Sequence, residues 1–305
     1  DTVLERSLMA VSRNAGKGEG EGPLGLLSNH AYAVLDVRSL PDSGHRLVLV
    51  RDPWGKGTFA GQWRKLSEMW KLHPTAEKAV GYVPDEGTGA FWMSFEELVQ
   101  HMTTLHVCRI FPSNYHSLSV PSEWSSRSAG GPPEEGGGWF RNPQFRLSVA
   151  TSCKVVISVV QYDPKVPGRG HRTVPAGLVV LRARKGAAPV RAWEVSDDLV
   201  TARADPRMGR ETSVSARLQG GTLYFVVPYT STEGSEGAFI LRCYSPSMVE
   251  LQRVPPPVVA EVRSEWLGHY AGGRRPNPTW LKNPQILMTS ANCDVDCVVQ
   301  LERTG

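Results

Sequence analysis

What the chain lacks narrows its function first. No run of about eighteen apolar residues occurs in its 305 residues, so no segment has the length and composition of a membrane-spanning helix. The first residues lack the charged-then-apolar pattern of a secretory signal, and the five cysteines, Cys108, Cys153, Cys243, Cys293 and Cys297, are odd in number and irregularly spaced. Both absences point to a cytoplasmic protein with reduced thiols. Long basic blocks are also missing. The net charge is +4, and its densest piece, Arg182-Ala183-Arg184-Lys185, reads as a solvated face, so no nucleic-acid partner is expected. Gly16-Lys17-Gly18 lacks the glycine spacing and the following Ser or Thr of a phosphate loop. His101, His106 and Cys108 lack a fourth zinc ligand and are read as structural. Cys293 and Cys297 fall on one strand face and read as core, and His45, His73, His116, His171 and His269 are assigned no chemistry. Most tellingly, no cysteine precedes His30.

What is present is a globular, β-rich composition, 40% hydrophobic, with 30 Gly and 23 Pro, enough for two or three loop-rich domains with cores. Residues 14–22 are Gly-rich and charged and read as a loop. Tyr32 to Arg38 and Arg46 to Arg51 are β-branched and apolar runs flanking Pro41-Asp42-Ser43-Gly44, which predicts an antiparallel hairpin. With the turn near residue 42, opposed residues have numbers summing to about 83, and the start of one strand meets the end of the other. His30 and Asp52 then come within reach of a hydrogen bond. A histidine serves as general base when one ring nitrogen is held and the other faces a nucleophile, so Asp52 is expected to orient His30, and Trp54 to cover the pair from water. Ser94 to Met102 reads as a capped helix, with Phe95, Leu98, Val99 and Met102 as its core stripe, and Thr104 to Phe111 as a returning strand.

Four ordered segments carry a resemblance. Gly25-Leu26-Leu27-Ser28-Asn29-His30-Ala31-Tyr32-Ala33-Val34, Arg51-Asp52-Pro53-Trp54-Gly55, Gly61-Gln62-Trp63 and Phe91-Trp92-Met93-Ser94-Phe95 together resemble the second half of the calpain protease core, a papain-like fold. The resemblance implies His30 as catalytic base, Asp52 as orienting residue and Trp54 as shield, with the nucleophilic Cys and the oxyanion Gln upstream of His30. Asp52 stands where calpains usually have Asn. Its carboxylate favours an imidazolium beside it, an arrangement that nucleophile–His–Asp triads use. Conventional calpains also place acidic calcium ligands after the Pro-Trp-Gly motif and again before Phe-Trp. This chain has Thr58 and Lys65 in the first place and Thr88, Gly89 and Ala90 in the second. Asp85 and Glu86 alone fall short of the roughly six to eight oxygens that calcium takes, so no calcium site and no other cofactor are expected in this half.

Beyond residues 112–126, read as a boundary, the chain repeats itself. Trp124, Ala129-Gly130-Gly131 and Trp139-Phe140-Arg141-Asn142-Pro143-Gln144 recur as Trp266, Ala271-Gly272-Gly273 and Trp280-Leu281-Lys282-Asn283-Pro284-Gln285. Short strands are expected at 145–150, 155–161, 178–183, 214–218, 222–227 and 238–244, at the pitch of an antiparallel sandwich. This opening resembles the calpain-type β-sandwich, and two in tandem resemble the PalB-type calpains. That subtype implies work with the endosomal sorting machinery.

The expected fold is therefore α+β, mostly β. Residues 1–118 form the His-bearing half of a calpain core, 119–262 a β-sandwich and 263–305 the start of a second one. The expected function is calpain-like cysteine endopeptidase acting on protein substrates. The chain itself is expected to be an inactive fragment without its nucleophile. An inactive calpain-like scaffold acting through its sandwiches is the alternative.

Overall fold

Alternating apolar and polar side chains over 30–40 fold as expected into a strand, and five such strands make an antiparallel sheet. The computed structural model describes residues 7–301 except 17, 19, 42, 56–58, 84–86, 135–136, 164, 166–171, 185–189, 290–296, 298 and 300. Lys17, Asp42, Thr58, Asp85, Glu86, His171, Lys185 and Cys293 lie outside the described residues. The chain divides into two compact units, Asp1–Pro112 and Ser113–Gly305.

The first unit runs β1 (Ser7–Arg13), β2 (His30–Leu40), β3 (His45–Arg51), α1 (Glu68–Leu72), α2 (Pro74–Val80), β4 (Ala90–Ser94), α3 (Phe95–His101) and β5 (Thr104–Arg109). Its sheet has the order β4-β3-β2-β1-β5. One apolar cluster gathers Val11, Leu26, Tyr32, Val48, Val50 and Met93, and another gathers Leu40, Leu47, Trp63, Trp70, Ala76 and Trp92. Full burial of such side chains stabilises the fold by about 1.5–3 kcal/mol each. The α3 helix carries the expected capping box: Glu97 N donates to Ser94 Oγ, and Ser94 N donates to Glu97 Oε2, both at 3.1 Å. The expected four-residue core stripe is corrected. Leu98 and Met102 join the core, whereas Val99 is exposed and Phe95 lies under the Arg46 guanidinium at 4.4 Å.

The second unit continues with β6 (His116–Trp124), β7 (Phe145–Val149), β8 (Cys153–Gln161), β9 (Ala176–Arg182), β10 (Val200–Arg207), β11 (Glu211–Leu218), β12 (Tyr224–Thr230), β13 (Gly237–Ser245) and β14 (Val249–Arg253). They form two antiparallel sheets, β10-β9-β12-β7-β14 and β11-β8-β13-β6. Phe145, Leu147, Ile157, Val226, Phe239 and Leu241, all fully buried, belong to one apolar cluster drawn from both sheets. Residues 116–124, inside the stretch read as a boundary, form β6 and pair with β13 along its whole length. Trp124 anchors this strand: its indole is buried and Nε1 donates to Pro228 O at 3.1 Å.

The repeated motif recurs in its hydrogen bonds. In the first copy Gly130 N donates to Asn142 Oδ1 at 3.1 Å and Asn142 Nδ2 donates to Gly131 O at 2.8 Å. In the second, Gly272 N donates to Asn283 Oδ1 at 3.0 Å and Asn283 Nδ2 to Gly273 O at 2.8 Å. The first glycine of each pair is required by space. A Cβ on Gly130 would lie 2.3 Å from Gly138 O, and one on Gly272 would lie 2.1 Å from Thr279 O.

Candidate active site

Hairpin register brings the two expected partners together. Pairs near the turn, Leu40 with His45 through Asp36 with Leu49, have numbers summing to 85, and a bulge at Leu35 resets the sum to 84 at Val34–Val50 and Ala33–Arg51. Continued past Arg51, this register sets Asp52 opposite Tyr32, and His30 is its diagonal neighbour on the same face. The expected sum of 83 is thus corrected, and so is the expectation of direct opposition. The bulge matters because sheet faces alternate with period two. Without that reset, Asp52 would fall opposite Ala33 and share its face, leaving His30 on the other side of the sheet.

The two side chains meet in a buried hydrogen bond. His30 Nε2 donates to Asp52 Oδ1 at 3.0 Å, with His30 6% exposed and Asp52 1% exposed. Asp52 is itself held by backbone. Its N–H donates to Gly89 O at 2.9 Å, and Trp54 N donates to Oδ1 at 2.9 Å. Gly89 has φ +78°, and a Cβ there would lie 2.8 Å from Asp52 O, so the close approach requires glycine. Asp52 Oδ2 is buried and accepts no hydrogen bond from any described residue.

Two rings complete the setting. The Trp54 indole lies 4.4 Å from the imidazole, centroid to centroid, at 53°, with about half of the residue still exposed. Tyr32 stands edge-on to His30 at 4.9 Å, and its hydroxyl accepts the Leu27 N–H at 2.7 Å. Burial, chiefly, holds the Tyr32 phenol above its ordinary pKa, so it remains a neutral wall. Its part in the site was not read from the sequence, although its place two residues after His30 on one strand face was the signal. The other imidazole nitrogen, Nδ1, makes no hydrogen bond to any described residue. The arrangement holds one ring nitrogen and leaves the other open, the form a general base takes.

Other sequence candidates disperse. His106 Nε2 lies 3.2 Å from Ser12 Oγ, and among the described residues no group of three or more His, Cys, Asp or Glu side chains is arranged to hold a metal. Cys108 pairs with Leu8 on β1, whereas His30 pairs with Arg13 five residues along, about 17 Å away in a strand. Cys108 is therefore no nucleophile for His30.

Comparison with known proteins follows the same division. Residues 2–109 match the model of the calpain family cysteine protease, and residues 120–244 match calpain large subunit, domain III. The chain belongs to the calpain family. It is 29% identical over 266 residues to the calpain-type cysteine protease DEK1 of Arabidopsis thaliana, covering 81% of this chain and 12% of that protein. It is 26% identical to the calpain-1 catalytic subunit of Rattus norvegicus over 273 residues, 79% of this chain and 37% of the relative. Calpain-5 of Mus musculus is 26% identical over 274 residues, 80% and 41% of the two chains. This calpain chain thus spans well under half the length of these relatives, and its mostly β, antiparallel units are those of a calpain. No helix among the described residues is long and apolar enough to cross a membrane.

Proposed function

We propose that this chain is the His-bearing part of a calpain-type cysteine endopeptidase, with His30 as general base, Asp52 as the residue that orients it and Trp54 as its cover. The observation that carries this reading is the buried 3.0 Å bond from His30 Nε2 to Asp52, with Nδ1 left open. In the proposed reaction, Nδ1 takes the proton of a cysteine thiol supplied from outside residues 1–305, and the thiolate attacks the carbonyl of an extended protein substrate. The same Nδ1–H then protonates the leaving amine, and water, deprotonated by His30, releases the acyl group. Asp52 keeps Nε2–H in place throughout and stabilises the imidazolium formed on the way.

An imidazole that accepts a thiol proton raises thiolate content and so reactivity. In the full-length protein, iodoacetamide is expected to alkylate one cysteine rapidly at pH 7, and His30→Ala to slow that step by about a hundredfold or more. An unchanged alkylation rate would remove His30 from the reaction.

Residues 1–305 alone are proposed to hydrolyse no peptide, because Cys108 is remote from His30. The organisation proposed is a protease half, a sandwich that opens with β6 (His116–Trp124) in place of the expected start at 119 and runs to about 262, and the opening of a second sandwich over 263–305. The tandem motif supports a PalB-type member that works in the cytoplasm with the endosomal sorting machinery. Tagged full-length protein that never meets endosomes in cells would end that part of the reading. The protease half is further proposed to bind no calcium, since Thr58 and Lys65 stand in the first loop and Asp85 and Glu86 alone, before Thr88, fall short of the oxygens calcium takes. Calorimetric titration is expected to give no stoichiometric calcium uptake, and a tight one-to-one isotherm would contradict it.

A further inference from the structure

Asn29, the residue before His30, stands in a left-handed conformation with φ +53°. Asparagine tolerates that region better than most residues that carry a side chain. Its backbone N–H donates to Arg13 O at 2.6 Å, which joins it to the strand beside His30. Its carboxamide reaches elsewhere: Nδ2 donates to Gly18 O at 2.7 Å and lies 3.4 Å from Gly16 O. Gly16 and Gly18 have φ +69° and +86°, so they have little conformational preference of their own and their place is set by the bonds they accept.

The chain between Gly18 and Asn29 folds back as a short ribbon. Gly22 N donates to Leu26 O at 2.7 Å, Glu21 bridges to Leu27, and Ser28 N donates to Gly20 O at 2.8 Å. The ribbon meets the site on both sides of His30. On one side is the Asn29 carboxamide. On the other, Leu27 N donates to the Tyr32 hydroxyl at 2.7 Å, and the Tyr32 ring stands edge-on to the imidazole at 4.9 Å. Past Trp54, Ala60 N donates to Leu24 O at 2.9 Å, which ties the turn of the ribbon to the segment that follows the indole. A shift of the ribbon is therefore passed to the imidazole through the backbone at residue 29 and through the Tyr32 ring.

We propose that Asn29 is a positioning residue of the His30 site: its carboxamide latches Gly16 and Gly18 to the residue before the base and so fixes where the imidazole sits. The latch can be separated from the backbone conformation. Aspartate and glycine both accept a positive φ, yet neither side chain can donate to Gly18 O, and an Asp carboxylate would set one oxygen against another. Asn29→Asp and Asn29→Gly thus remove the latch and keep the backbone. The catalytic consequence rests on His30 being the base, whereas the hold of Asn29 on the ring does not.

Two measurements test the latch. In the 305-residue chain, NMR follows the His30 Nε2–H that donates to Asp52, and its exchange with water is expected to be about tenfold or more faster in Asn29→Asp and in Asn29→Gly than in the parent. In the full-length protein, both variants are expected to lose about tenfold or more in kcat on a fluorogenic peptide, with KM within about twofold, the split that a displaced base gives. Equal exchange rates in the three chains would overturn the proposal, and so would a parent-like kcat in either variant. A rise in KM alone would overturn it too, because the ribbon would then serve substrate binding and not His30. A full-length parent that hydrolyses no peptide would sink the protease reading instead, and the exchange rates would still decide the hold of Asn29 on His30.

Discussion

His30 takes part in two kinds of contact, one polar and one apolar, and the polar one makes two predictions. The polar contact is the bond to Asp52. Asp52→Ala would leave a buried imidazole N–H unpaired, at a cost of about 1–3 kcal/mol, and would let the ring turn. In the full-length protein this variant is expected to lose at least about a hundredfold in kcat with a smaller change in KM, measured on a fluorogenic peptide. Asp52→Asn keeps the Oδ1 acceptor and is expected to stay within about tenfold of the parent, since Oδ2 serves no described donor. If both variants behave alike, Oδ1 is not what matters. The apolar contact is the tilted Trp54 ring. The approach of Gly89 to Asp52 adds a third test: Gly89→Ala forces a Cβ against the Asp52 carbonyl at a positive φ, and is expected to lower stability by about 1–3 kcal/mol in chemical denaturation.

At the scale of elements, the sheet that presents His30 was legible where side chains alternate and invisible where they do not. β2, β3, α3 and most sandwich strands lie where patterning predicts them, because long apolar runs and a capping box are local signals. β1 was missed, since its place inside the sheet comes from pairing with both β2 and β5 rather than from its own sequence. β10 carries Arg203, Asp205, Pro206 and Arg207, an edge-strand composition that reads as loop. α1 and α2 are too short to show a helical period. The Leu35 bulge left no sequence signal at all, yet it decides which face His30 occupies.

The sandwich strand β13 offers a pH test of its packing. Burial raises the Cys243 thiol from 9.0 to about 12, so the folded state holds this proton more tightly than the unfolded chain. The contribution is fully present below pH 9 and is lost as pH rises from there toward 12. Stability is expected to fall over that window by up to about 1.4 kcal/mol per pH unit from this group, and the Cys243→Ala difference curve isolates it. A flat difference curve would mean that the thiol is solvated. At pH 8 a disulfide reagent is expected to modify exposed Cys108 in the native protein and Cys243 only on unfolding.

At the scale of the whole molecule, family and fold were readable because calpain motifs place the same residues at the same points of a β-rich frame. The second copy of the Trp-Ala-Gly-Gly-to-Asn-Pro-Gln motif was equally readable as a repeat. The contact of Arg191 with the first copy was not, because Arg191 lies about fifty residues from Phe140 and Asn142 in sequence and is joined to them only by folding. His30, held by Asp52, is proposed as the base of a cysteine endopeptidase. The most direct measurement is hydrolysis of a fluorogenic peptide by the full-length protein and by its His30→Ala variant, with matched melting temperatures. His30→Ala is expected to lower kcat/KM by at least about a thousandfold. Equal activity of the two proteins would contradict it.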